Sequence, residues 1–279
     1  MKKYCGMLRN IFMGGLMAKI HFLGTCSGTE PIKDMHHCSF VLEHKGINYW
    51  FDAGENCAYS AHISGIDLLA TRALFISHPH LDHTGGLANL LGCMNKLVIR
   101  ESRTLVNNNT LEAFLPDLDV FFAAKVIATG NLPFEKLCFN INEHRISDGT
   151  LYEDENIRVS AIHNRHLKGD DGKNGWRSFS FLIECDGKRI VFSGDVDVPY
   201  ELDPLVEGGV DMLIMETGHH PVSAVCEYAL SRNVRNLCFN HHGREIINDR
   251  AAAEKLIADY ESRGSISVKL CYDGMIQPI

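Results

Sequence analysis

Residues 73–87 read ALFISHPHLDHTGGL, an apolar run that closes on His78, His80, Asp82 and His83. Four ligand-type side chains packed this tightly behind a strand-like segment are more than packing alone requires. An extended chain alternates its faces, so His78, His80 and Asp82 are expected to project towards one place. Adjacent Asp82 and His83 are expected to diverge, giving one ion the two alternating histidines and a neighbouring ion the Asp and the last His. Neutral imidazole and carboxylate are both zinc donors, so the pattern points to a pair of metal ions at a strand end.

Outward from this cluster, short β-type runs recur in both halves: KIHFLG, SFVLEH and INYWFDAG early, then NIRVSAI, SFSFLIEC, KRIVFSGD, DMLIMET, NLCFNHH and SISVKLCYDG later. Helix-period apolar spacing marks GGLANLLGCM, TLVNNNTLEAFL, PVSAVCEYALSR and DRAAAEKLIADYESR. The halves share a strand-then-helix rhythm, with no residue-level repeat evident. Strand-rich segments carrying helices at both ends predict sheets packed face to face with helices outside, a layered α/β arrangement. The polar, glycine-rich KGDDGKNGW reads as a mobile surface loop and not as a linker, so residues 18–279 read as one domain.

Of the 279 residues, 45% are hydrophobic, enough for a large core. Lys and Arg total 27 against 35 Asp and Glu, a formal net charge of -8, which removes the broad attraction on which non-specific nucleic-acid binding relies. Nucleic acid is therefore not the expected partner. The ten cysteines are scattered without a C-x-x-C pair and read as reduced thiols of a cytoplasmic protein. Residues 1–17, MKKYCGMLRNIFMGGLM, have a basic start and a short apolar run broken by Gly14 and Gly15, and read as a leader or extended N-terminus. No stretch is long enough to span a membrane, and no membrane partner is expected.

The H-x-H-x-D-H pattern from His78 to His83 resembles the signature of the metallo-β-lactamase superfamily, and LGTCSGTEP at Leu23–Pro31 resembles the opening of its ribonuclease Z and cyclic phosphodiesterase branch. The resemblance implies a four-layer αββα sandwich, two mixed sheets face to face with helices outside. It also implies roles at the matching positions. Asp52, ending NYWFDAG, would orient a ligand from behind. In VSAIHNRH the third ligand is His166 in preference to His163, because the family's ligand lies beyond the strand end. Asp195 of Ser193-Gly194-Asp195 would bridge both metals, while Asp197 departs from the motif and reads as a loop acid. In NLCFNHHGR the last ligand is His241, with His242 facing away.

One ion would then take His78, His80 and His166, the other Asp82, His83 and His241, with Asp195 shared. The donor set favours two zinc ions, and manganese and iron stay open as alternatives. Hydroxide held by the pair is the expected nucleophile, which places Asp82 in the catalytic set as well as among the ligands. His219, just past DMLIMET, is the expected proton donor to the leaving group, with Glu216 orienting it. His220 and Arg244 are expected substrate contacts, a surface ion pair being the other reading of Arg244. The interval between His166 and Asp195 is filled by one glycine-rich loop and two strands, leaving no room for the long arm of transfer-RNA-processing relatives. The leading expectation is hydrolysis of small or cyclic nucleotide-like phosphodiesters. Carboxyl-ester, lactone or thioester hydrolysis, transfer RNA 3′ processing and a non-catalytic metal-bound interaction module are the alternatives, and a homodimer is expected from the habits of relatives.

Overall fold

The structure, a computed structural model, describes residues 17–132 and 135–279. Residues 1–16, with Cys5 and nearly all of the expected leader, lie outside the described residues. In chain order the strands are β1 (Lys19–Gly24), β2 (Ser39–His44), β3 (Ile47–Phe51), β4 (Thr71–Phe75), β5 (Thr110–Leu115), β6 (Asn140–Arg145) and β7 (Gly149–Glu153). There follow β8 (Ile157–His163), β9 (Phe179–Cys185), β10 (Lys188–Phe192), β11 (Met212–Glu216), β12 (Asn236–Asn240), β13 (Ser267–Leu270) and β14 (Ile276–Pro278). They form two seven-stranded sheets, in the orders β14-β1-β2-β3-β4-β5-β6 and β13-β12-β11-β10-β9-β8-β7. Each sheet begins antiparallel, along β1–β2–β3 or β7–β8–β9–β10, and continues parallel, along β3 to β6 or β10 to β13.

Period-two side-chain alternation explains why both faces of the central strands are apolar. Phe40, Tyr49, Phe51, Ile190 and Phe192 point into the space between the sheets, while their neighbours Val41, Trp50 and Val191 point outwards. Between the sheets Phe51 stacks on Phe40 at 4.9 Å and on Phe75 at 5.0 Å, and meets Phe181 and Phe192 edge-on from the opposite sheet. Outside the first sheet the helices Leu87–Glu101 and Leu118–Ala128 bury Leu90, Leu91, Met94 and Phe121 against Val41, Trp50 and Leu74. Outside the second, Val222–Ser231 and Arg250–Arg263 bury Val225, Tyr228, Ile257 and Tyr260 against Val191 and Leu213. The layer order is αββα, as the sequence predicts.

Two sequence expectations are corrected here. TLVNNNTLEAFL was expected to be helical, and its Leu, Glu and Ala do favour a helix. Instead Thr110–Leu115 lies parallel between β4 and β6, where ladder pairing and burial of Leu111 and Ala113 override local preference. A residue-level repeat also exists. SFVLEHKGINYWF (residues 39–51) and SFLIECDGKRIVF (residues 180–192) form hairpins of one register, Phe40 opposite Phe51 and Phe181 opposite Phe192. Both turn through two residues of positive φ, Lys45-Gly46 and Asp186-Gly187, the geometry that two-residue hairpin loops require. No helix among the described residues is long and apolar enough to cross a membrane.

Candidate metal centre

The parallel strands of both sheets end at one edge of the sandwich, the usual place for a site in such sheets. Asp52 follows β3, Ser77 and His78 follow β4, His166 follows β8, Asp195 follows β10, Glu216 ends β11 and His241 follows β12. Residues far apart in sequence therefore meet. His78, His80 and His166 place their donor atoms within 4.8 Å of one another, and so do His78, His83 and Asp195. His80 Nδ1 lies 3.1 Å from both His78 Nε2 and His166 Nε2. On the other side His83 Nε2 and His241 Nε2 are 3.2 Å apart, and Asp82 Oδ2 is 3.2 Å from His241 Nε2.

Asp195 stands between these groups with one oxygen towards each. Its Oδ2 is 3.7 Å from both His78 Nε2 and His166 Nε2, while its Oδ1 is 3.5 Å from both His83 Nε2 and His241 Nδ1. Burial disfavours the Asp195 carboxylate, yet the surrounding histidines His241, His83 and His78 more than compensate and hold its pKa well below the usual range. Burial lowers His78 strongly and lowers His166 to about 4, which suits the neutral, metal-ligating form of both rings. His83 goes the other way: burial opposes its charge, but Asp195 and Asp52 hold its pKa well above the ordinary value.

Asp52 is held by the backbone and in turn holds His83. Its Oδ1 accepts from the Ser77 amide at 2.7 Å, and its Oδ2 accepts from Ser77 Oγ at 2.8 Å and from His83 Nδ1 at 2.7 Å. The arrangement leaves His83 Nε2 to face the centre, as an orienting carboxylate does behind a ligand histidine. Sequence reasoning missed Ser77 and Gly28. The Gly28 amide donates to Asp82 Oδ2 at 2.8 Å from the LGTCSG loop, whose glycine and small polar residues were the available signal. Gly218 matters by close approach, since a Cβ there would lie 2.7 Å from His241 Nδ1.

Asp82 and His83 do not diverge. The chain leaves β4 and enters the short helix Leu81–Thr84, where successive side chains wrap about one axis, and Asp82 Oδ2 comes within 3.7 Å of His83 Nε2. His163 stands apart from the group: its Nδ1 is 2.7 Å from Asp148 Oδ2 and its ring stacks on Trp176 at 4.2 Å. His242 also turns away, its Nε2 donating to the Cys271 carbonyl at 2.8 Å.

Glu216 and His219 meet beside Asp195. Glu216 accepts from the His219 amide at 2.8 Å and faces His219 Nδ1 at 3.0 Å, and this hydrogen bond raises the His219 pKa to about 9 despite partial burial. His220 does not line the cavity: its Nε2 donates to the Val196 carbonyl at 3.1 Å, because the chain turns into the helix Val222–Ser231 there. Arg244 is exposed and pairs with Glu30. The placement of His220 differs from the expected substrate contact, while Arg244 forms the surface ion pair that is its other reading. The cavity above the centre holds about 520 Å³ and is lined by Ser27, Gly28, Thr29, His80, Asp82 and His219 among others. A second cavity shares His80 with it, is also lined by His166, and is bordered by the 168–176 loop, which is bonded in place through Asp170 and through Arg145 to Asn174.

The residues fit metal ions. Asp195 Oδ1 and His241 Nδ1 are buried without a hydrogen-bond partner among the described residues, and ring nitrogens face one another in pairs that only a proton or a cation can reconcile.

Comparison with known proteins places this arrangement. A family model described as Anti-Pycsar protein Apyc1 matches residues 18–223. A ribonuclease Z from Sulfurisphaera tokodaii is 26% identical over 204 residues, a match that covers 66% of this chain and 62% of that protein. Among solved structures, the metallo-β-lactamase fold protein YhfI from Bacillus subtilis superposes with a TM-score of 0.69 at 15% identity, over 94% of this chain and 99% of that one. The short form of human tRNase Z does so with a TM-score of 0.68 at 20% identity, again over 94% and 99%. The fold is thus the metallo-β-lactamase fold. The name of the ribonuclease Z relative sits against the expectation that nucleic acid is no partner.

Proposed function

This chain belongs to the Anti-Pycsar protein Apyc1 family, and from that premise we propose that it is a metal-dependent phosphodiesterase acting on small or cyclic nucleotide-like phosphodiesters. The anti-Pycsar role in the family's description is proposed with it. The observation that carries the reading is Asp195, whose two oxygens face two separate sets of donors beneath a cavity of about 520 Å³. His78, His80 and His166 would hold one divalent cation and Asp82, His83 and His241 the other, with Asp195 shared; zinc suits these donors best. Such a pair supplies a water of lowered pKa and positive charge to offset the entering and leaving oxygens of an in-line displacement.

The chain's own residues do the rest. Asp52 fixes the His83 ring, and the Gly28 amide fixes the Asp82 carboxylate. His219, kept protonated by Glu216, gives its proton to the departing oxygen. The cavity's volume lies in the range that takes a small ligand.

Transfer RNA 3′ processing is the second reading, favoured by the ribonuclease Z relative. Against it stand the formal net charge of -8 and the folded loop that occupies the interval between His166 and Asp195. The test is a panel in which zinc- or manganese-loaded protein meets cyclic mononucleotides, a precursor transfer RNA, a thioester and a lactone. Turnover of cyclic nucleotides is expected. Cleavage of the RNA alone moves the reading to the second, carbonyl-only turnover to an esterase, and no turnover at full metal occupancy to a non-catalytic module.

A further inference from the structure

The repeated hairpins bring a second set of metal-ligating side chains together, at the end of the sandwich remote from Asp195. His44 ends β2 and Cys185 ends β9, at equivalent positions of the two hairpins, His44 opposite Ile47 and Cys185 opposite Lys188. The repeat thus places imidazole and thiol in corresponding turns of facing sheets. Asp186, the first turn residue of the second hairpin, completes the group. A ring nitrogen of His44, the Cys185 sulfur and an Asp186 oxygen all lie within 4.8 Å of one another, and His44 Nε2 is 2.9 Å from Asp186 Oδ2. Donors around a tetrahedral zinc ion lie about 3–4 Å apart, so little movement separates this geometry from ligation.

Two features set the group apart from a simple ion pair. His44 and Cys185 are buried, yet His44 Nδ1 has no hydrogen-bond partner among the described residues. Asp186 is half exposed, so one side of the group opens to water. A thiol, an imidazole and a carboxylate with one open position are the donors of a thiophilic divalent cation, whereas calcium or magnesium would require oxygen alone.

We propose that His44, Cys185 and Asp186 form a third metal site, one that takes a zinc-class cation and ties the two sheets together at the end opposite the main centre. Burial holds the Cys185 thiol up at about 12, so ligation must displace its proton to solvent, and binding strengthens as pH rises.

The test uses the full chain, stripped of metal and titrated with Co2+, whose bond to a thiolate gives a sulfur-to-metal charge-transfer band. Wild type is expected to bind one equivalent more than Cys185→Ser and to show the band, which Cys185→Ser loses. Asp186→Asn keeps the positive φ that Asn tolerates, so it folds, and its affinity for that equivalent is expected to fall at least about tenfold. In an Asp195→Ala background, zinc should still raise the melting temperature, and adding Cys185→Ser should abolish the rise. The proposal is overturned if wild type and Cys185→Ser bind the same number of equivalents without a band. It is equally overturned if the band survives Cys185→Ser and disappears only in Cys38→Ser, because Cys38 lies beside His83 in the main centre.

Discussion

His83 is wholly buried and its ring is caught by Asp52, itself gripped by the Ser77 amide and hydroxyl, whereas His80 is exposed and leans only on His78 and His166. Among the described residues His166 has no carboxylate nearer than Asp195, at 3.7 Å, and its amide is held by a neutral Asn164 side chain. One side of the centre is therefore preorganised by a buried charge network, and on the other, where His78 is itself buried with its Nδ1 3.0 Å from Ser77 Oγ, it is His80 that is open and adjustable. Rings locked from behind retain an ion, while rings facing a cavity meet whatever enters it. His219, also exposed, belongs with the open side.

The contrast can be broken at its hinge. Asp195→Ala removes the residue common to both sides, so metal analysis should show loss from both, with diester turnover down on the order of 10³-fold, the size of a major electrostatic contribution. His219→Ala sharpens the contrast instead. It should leave metal content intact yet slow diesters with poor leaving groups by about 10²–10⁴-fold, and activated diesters far less, in paired initial-rate measurements. Equal losses on both would strip His219 of its proton-donor role.

Asp52→Asn tests the locked side. Asn tolerates the positive φ of this position, and affinity for one of the two ions should fall about 10–100-fold in a chelator competition. The matching change on the open side, Asn164→Ala, should weaken binding by a few-fold only. Similar losses from both would mean that the sides do not differ. The smallest effect is expected from pH. In metal-free protein the His219 imidazole keeps its proton up to about 9, against about 6.5 for the ordinary group, because Glu216 accepts from it. Its stabilisation is full below about 6.5 and fades as pH climbs through about 9. The melting temperature should therefore decline slightly across that window, and Glu216→Gln should flatten the decline.

Much of this was legible because it is local. The run from His78 to His83, the Ser193-Gly194-Asp195 strand end and the His241 position each follow an apolar strand, and strand ends are where parallel sheets gather their chemistry. The Glu216–His219 offset was readable for the same reason. What escaped reading depends on partners distant in sequence or on turns and helix starts too short to signal themselves. The 110–115 segment becomes a strand through β4 and β6, and Asp82 converges with His83 through a helical turn that four residues cannot announce. His220 carries suitable chemistry, but its direction is set by the helix that follows it. The hairpin repeat was hidden because its identities, Ser, Phe, Glu, Gly and Phe, are spread among positions that face different layers.

One further consequence lies in the strand order. β1 is flanked by β2 and by β14, with Lys19 opposite Pro278, and the Cys26 amide loop beyond it is tied to His242 and Asp273. During synthesis, then, β1 leaves the ribosome well before β14, the strand it pairs with. Until β14 follows, its outer edge, carrying the apolar KIHFLG, offers unpaired amides and carbonyls to any neighbouring nascent chain. A sheet edge covered across so long an interval of sequence should depend on chaperone cover during translation more than its final packing suggests.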